Sequence, residues 1–176
     1  MQVPRRVVRH ELLPPNGLVL ALFLLFAAAA TRPAVVSRPV PPKALGACWA
    51  VTPADVERVL GRQFGRGHEE NHAAESTCDY AAGNGQVSIT IQRLKAKVDI
   101  ALEIESLTKN IPESTVRVLP GLGGVAFFLD LAEAGTQLHA IRDDRDYVMV
   151  SILGFGDAPA VSVAAERLAR AALGRI

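Results

Sequence analysis

Thiols are scarce in this sequence: Cys48 and Cys78 are its only cysteines. Two thiols cannot build a four-cysteine zinc site or the framework of a disulfide-dense mini-fold. An excess of charge of one sign is also missing. The 19 Lys+Arg and 18 Asp+Glu leave a formal +1, so the totals carry neither the basic footprint of a nucleic-acid binder nor an acidic tail. Disorder is excluded from the other side, because 49% of the 176 residues are apolar and such a chain can bury enough surface to fold. There is no G-x-S-x-G elbow of the common serine hydrolases and no internal repeat. These absences leave one globular domain behind a targeting segment.

Long hydrophobic runs are limited to one. Arg5, Arg6 and Arg9 precede it, Leu18 to Ala30 form thirteen uncharged, mostly aliphatic residues, and Ala28-Ala29-Ala30 ends it with small side chains. Positive region, apolar region and A-x-A end describe a secretory signal. Thirteen residues fall short of the roughly 20 that cross a bilayer, so residues 1–30 are expected to be cleaved after Ala30, with an uncleaved anchor as the alternative. Removing them takes three arginines and Glu11, leaving 16 basic and 17 acidic groups and no steering toward phosphates or anionic lipid. Residues 31–45 read as a linker, because Pro33, Pro39, Pro41 and Pro42 favour extended geometry and remove backbone donors. The domain proper spans residues 46–176. Leu45-Gly46-Ala47-Cys48 resembles a lipoprotein attachment box, but seventeen residues separate Cys48 from the apolar run, which argues against acylation. In an oxidising compartment the default is instead a structural Cys48–Cys78 disulfide; no C-x-x-C spacing suggests a redox pair.

Local signals place the elements. Thr52 caps a helix, Pro53 suits its first position, Asp55 sits in the first turn, and Val56, Val59 and Leu60 make one stripe before Gly61 stops it. Residues 75–81 and 86–93 read as a hairpin about Gly83-Asn84-Gly85, with Val87, Ile89 and Ile91 alternating against Ser88, Thr90 and Gln92. Residues 97–110 are helical by the register of Ile100, Ile104 and Leu107. Strands follow at 115–119, 125–129, 136–142 and 147–153, with turns at Gly121-Leu122-Gly123-Gly124 and at Asp143 to Asp146. Residues 159–173 form an amphipathic helix with Val161, Ala164, Ala165, Leu168 and Ala172 inward. Hairpins in place of alternating strand–helix units predict the α+β class, a single domain with an antiparallel sheet and helices packed on one face.

Taken together, Cys48, the Thr52 cap, Val59-Leu60-Gly61, Cys78-Asp79-Tyr80 and Gly121 to Phe127, with the closing Ala-rich helix, resemble a pattern in small exported bacterial proteins. The chain is similar to the uncharacterised domain families of secreted proteins and lipoproteins common in actinobacteria, and to the sensor-like extracellular domains of some receptor kinases. The resemblance covers residues 46–174 and implies a structural disulfide and no catalytic residues. The chain departs from it in lacking an acylated cysteine just after the signal, and in Gly124, where such members often carry an acid.

Several groups could carry chemistry. His68-Glu69-Glu70-Asn71-His72 matches H-E-x-x-H, which on a helix brings two imidazoles to one zinc with the glutamate as base. His139 or Glu75 would have to supply a third ligand. Gly65 and Gly67 weaken that helix, and a solvated loop is the simpler reading. Asp143, Asp144 and Asp146 could meet calcium, but Arg142 and Arg145 interleave them, which favours a hairpin tip. Gly121 to Gly124 lacks the Lys-Ser/Thr of a phosphate loop. Asp130 and Glu133 read as surface acids rather than a glycosidase pair. Trp49 is expected to cover the disulfide. Phe127 and Phe128 cannot both face one side of a strand, so one is expected to be exposed or to line a pocket.

The expectation is therefore a non-enzymatic, secreted or periplasmic module that binds a protein or small ligand at the envelope. It needs no cofactor or resident metal, binds no nucleic acid, and touches membrane only through an uncleaved signal. A carrier of an apolar molecule is the alternative, with Phe127, Phe128 and Phe155 as lining residues; the zinc hydrolase through His68, Glu69 and His72 is the remote one.

Overall fold

The computed structural model describes residues 46–176; the signal segment 1–30 and the linker 31–45 lie outside them. In chain order the elements are α1 (Ala47–Ala50), α2 (Pro53–Leu60), β1 (His68–His72), β2 (Glu75–Ala82), β3 (Gly85–Arg93), α3 (Ile100–Asn110), β4 (Thr115–Val118), β5 (Val125–Asp130), β6 (Gly135–Arg142), β7 (Asp146–Leu153) and α4 (Ala158–Arg175), with a 3-10 turn at Ala132–Ala134. The seven strands form one antiparallel sheet in the order β1-β2-β3-β7-β6-β5-β4. This is the α+β class that the hairpin signals predict. Two meanders, β1 to β3 and β4 to β7, are joined through β3 and β7. The link from β3 to β4 must span the width of β7, β6 and β5, and α3 lies within it. No helix among the described residues is long and apolar enough to cross a membrane.

The locally specified elements form where their signals stand. Thr52 caps α2 in a capping box with Asp55, Pro53 opens the helix, and Gly61 closes it in the left-handed region at φ 65°. In the first hairpin the two turn residues are Gly83 and Asn84, since Ala82 pairs with Gly85; Gly83, at φ 62°, takes the first central position, where a side chain would be strained. Gly85 is then a paired strand residue. Phe155 packs across it, with ring carbons 2.5–2.7 Å from where a Cβ would stand.

One face of the sheet carries the main core. Cys78, Tyr80, Val87, Ile89, Ile91, Ala126, Phe128, Leu138, Ala140, Val148, Val150 and Ile152 are buried there with Ala47, Ala50, Val51 and Val56. The helix α4 lays its predicted stripe, Val161, Ala164, Ala165, Leu168 and Ala172, on it and adds Ala169 and Leu173. The α3 helix lies by the opposite face, where Val98 and Glu103 meet Phe127, Ile141 and Tyr147. Phe127 and Phe128 consequently point to opposite faces and are both buried, at 2% and 1% exposure. Phe127 meets the second of the two alternatives by lining a pocket, and helices cover both faces of the sheet, where packing on one face was expected.

His68 to His72 is a strand and not a loop. It pairs with β2 from His68↔Asp79 to His72↔Glu75, and all five residues are exposed. A fully exposed strand of charged and polar side chains is a common way to end a sheet without inviting another chain. The helix α1, absent from the sequence reading, gets its hydrogen-bond partners from far along the chain. The Ala47 N–H donates to Ser76 Oγ at 2.9 Å and the Cys48 N–H to Glu69 Oε1 at 3.1 Å, which satisfies amides that a short helix leaves open.

Two arginines tie α4 into the fold. Arg175 reaches Asp55 Oδ2 at 2.6 Å and Oδ1 at 3.2 Å, and the Ala50 carbonyl at 2.7 Å. Arg142 meets Asp146 at 2.6 Å and donates to the carbonyls of Leu173 and Ile176, where the helix dipole favours a cation. Asp55 is buried, and the Arg175 guanidinium holds its carboxyl well below the usual carboxylate range despite burial. The substitution Asp55→Asn keeps the side-chain shape and a capping oxygen but removes charge-assisted bonds to Arg175 and Arg58. It should lower the unfolding free energy by about 2 kcal/mol, read as a shift of the urea midpoint at unchanged slope.

Candidate functional site

Two concavities stand out. The larger, about 650 Å³, is an open trough beside the disulfide, lined by Cys48, Pro53, Arg66, Gly67, His68, Glu69 and Tyr80. Its key polar groups are committed to structure. Glu69 Oε1 accepts from the Cys48 N–H and from Ser76 Oγ, and the Tyr80 hydroxyl donates to the Val51 carbonyl. Desolvation pushes the Tyr80 phenol up to about 12, with Asp55 and Glu69 adding to it, so it stays a donor. The bond joins Cys48 in α1 to Cys78 in β2 at a Cα separation of 5.1 Å, the pairing that the two thiols predict. Cys48 is therefore not free for acylation. Gly67 packs against the sulfurs and the Tyr80 ring: a Cβ there would stand 2.5 Å from Cys78 Sγ, 2.6 Å from Tyr80 Cε1 and 2.9 Å from Cys48 Sγ. Trp49 itself is 55% exposed.

The smaller cavity, about 150 Å³, lies between the sheet and the α3 segment, on the face away from α4. Gln92, Leu94, Val98, Glu103, Phe127, Ile141 and Tyr147 line it. Strand register builds its floor. Gln92 pairs with Tyr147, Tyr147 with Ile141, and Phe127 with His139, so alternate residues of four neighbouring strands meet on one face. The cover is light, since no residue of α3 is buried. Asp99 caps this helix through the amides of Ala101 and Leu102, fixing where its first turn and Glu103 sit.

Beneath the cavity lies a polar pair. His139 is 2% exposed, stacks on Phe127 at 4.8 Å between ring centroids, and has Nδ1 2.8 Å from the Tyr147 hydroxyl. Its Nε2 is buried and meets no hydrogen-bond partner among the described residues. Burial drives its pKa from 6.5 to about 4, so the ring is neutral at pH 7. Tyr147 is pushed well above the ordinary tyrosine range by burial and by the charges of Glu103 and Glu75. At neutral pH the pair presents a hydroxyl and an uncharged imidazole.

The other sequence candidates are scattered. Phe128 lies on the α4 side under the Arg117 guanidinium, 4.2 Å from its ring centroid. Phe155 packs with Phe64 at 5.6 Å and beneath Arg62. Only Phe127 of the three lines the α3 cavity. On an extended strand His68 and His72 stand about 13 Å apart, so the helical spacing that H-E-x-x-H needs is lost. His139, four strands across from β1, is about 19 Å further off, and no group of three or more potential ligands gathers among the described residues. Asp144 pairs with Lys97 at 3.2 Å, and Asp146 with Arg93 at 2.9 Å and Arg142 at 2.6 Å; the hairpin tip is an ion-pair cluster. Asp130 pairs with Arg117 at 3.1 Å and accepts from Thr136 at 2.8 Å. Glu103, Gln92 and the Tyr147 hydroxyl were not foreseen as a site, because nothing in the sequence shows that the α3 segment returns over β7. Comparisons with models of protein families, with curated proteins and with solved structures found no match to this chain.

Proposed function

We propose that this protein is a non-enzymatic, exported binding module that holds a small apolar group between the α3 segment and the sheet. The observation that carries this is the 150 Å³ cavity walled by Leu94, Val98, Phe127, Ile141 and Tyr147. An enclosed apolar cavity of about this volume takes up benzene; this one is partly open and adds Gln92 and Glu103 to its apolar walls. The light cover of α3 provides an entry route, because a helix with no buried residue separates from its sheet at little cost. Binding is favoured over turnover because the polar groups at the cavity include no activated nucleophile: burial holds the Tyr147 hydroxyl protonated. Export is supported by the N-terminal signal pattern together with the disulfide, a bond that persists in oxidising compartments.

The test is titration with benzyl alcohol, followed by amide chemical shifts. Shifts should concentrate on α3 and on Phe127, Ile141 and Tyr147, with a dissociation constant on the order of 0.1–1 mM for so small a ligand. Val98→Trp, which fills the cavity from its half-buried rim, should abolish those shifts while leaving the far-UV spectrum unchanged. Absence of localised shifts up to the solubility limit overturns the reading.

A further inference from the structure

Glu103 is the one carboxylate among the residues lining this cavity, and among the described residues it makes no ion pair or side-chain hydrogen bond. Of the nearest basic residues in sequence on the α3 approach, Arg93 pairs with Asp146 at 2.9 Å and Lys97 with Asp144 at 3.2 Å, and Lys95 is exposed on the connecting segment. Glu75 lies along the same row of the sheet, paired with Gln92, which pairs with Tyr147, and it too has no cation partner among the described residues. Both carboxylates act on Tyr147, so the negative field reaches the cavity. A first-turn acid is favourable to α3 through the helix dipole. That accounts for an acid at this point in the helix but not for its half-buried place beside Phe127, Ile141 and Tyr147.

We infer that the ligand of this site is a small apolar amine: a ring or short branched chain seated against Phe127, Val98 and Ile141, with its ammonium group at Glu103. This rests on the binding reading above and adds the sign of the ligand's charge. The chemistry is complementary at each wall. An ammonium donates to the Glu103 carboxylate in a charge-assisted bond and meets the negative ring face of an aromatic side chain. Gln92 and the Tyr147 hydroxyl offer further oxygen atoms to its remaining hydrogens. A carboxylate ligand would face Glu103 and Glu75 with no Lys or Arg among the described lining residues to compensate.

Three probes of one shape decide the matter: benzylamine, benzyl alcohol and benzoate, titrated at pH 7 into the intact protein and into Glu103→Gln. Benzylamine should bind roughly 10-fold tighter than benzyl alcohol, benzoate should be weakest, and the amine preference should shrink with added salt. Glu103→Gln should weaken benzylamine far more than benzyl alcohol and so remove the difference between them. Equal binding of amine and alcohol overturns the charge assignment while the cavity reading stands. Binding of none of the three overturns both. An amine preference that survives Glu103→Gln also overturns the assignment to this residue.

Discussion

Replacing Cys48 and Cys78 together by alanine should lower the unfolding free energy by about 3.7 kcal/mol, the loop-closure entropy of a ring of about 31 residues. That is a large part of the 5–15 kcal/mol that ordinarily holds a domain together. Alanine is the appropriate replacement, because Cys78 is fully buried in the core and serine would bury a hydroxyl. The double variant should still fold at low temperature. Ala47, Ala50 and Val51 of the α1 segment are themselves fully buried, and the Ser76 and Glu69 bonds to its amides remain. Equilibrium denaturation of the oxidised parent and the double variant measures the difference directly. A loss below about 1 kcal/mol would mean that α1 is held by its packing alone and that the disulfide does not constrain the unfolded chain as a closed loop should.

Why α1 escapes a reading of the sequence, when α2 does not, is a matter of where the stabilising groups lie. The α2 helix carries its own instructions within ten residues: Thr52, Pro53, Asp55 and Gly61 satisfy its ends, and Val56, Val59 and Leu60 orient it. The α4 stripe is likewise local. By contrast, the caps of α1 come from Ser76 and Glu69, 29 and 21 residues away. The β1 strand shows the same dependence. Its side chains are all exposed, so no alternation marks it, and only the open edge of β2 makes it a strand. The turn of the first hairpin was legible to within one residue. The disulfide was legible because only one pairing exists.

The cavity was legible only in part. Aromatic character singled out Phe127, but the alternation that separates Phe127 from Phe128 gives no sign that both faces of the sheet are covered. That depends on β4 taking the far edge, which obliges the β3-to-β4 link to span three strand widths and brings Glu103 and Val98 beside Tyr147. In the sequence alone His139 stands out only as a possible third zinc ligand. Its actual surroundings, a Phe127 stack and a Tyr147 bond, follow from the registers Phe127↔His139 and Ile141↔Tyr147, which local sequence does not fix.

Acidification should expose what that burial costs. His139 titrates near 6.5 in the unfolded chain and at about 4 in the folded one, because an imidazolium in this buried place would lose its hydration. Between those values the unfolded state binds the proton and the folded state does not. Stability is therefore fully present above pH 6.5 and is lost as pH falls toward 4, with a maximal slope of about 1.4 kcal/mol per pH unit and a total of about 3 kcal/mol. Asp55 acts in a different window. Its carboxyl is held below the usual range by Arg175, so its contribution persists above about pH 3.9 and falls away only below it. The two can thus be separated by pH. His139→Asn keeps a hydrogen-bonding atom toward Tyr147 and carries no titrating group. It should be less stable at pH 7.5, because it leaves a gap beside Phe127, yet its stability should be nearly flat from pH 6.5 to 4.5, where the parent declines. Urea midpoints at half-unit steps of pH distinguish the two curves. Parallel curves would mean that His139 takes up its proton in the folded state, with the face of the sheet beneath α3 open enough for water to reach Nε2.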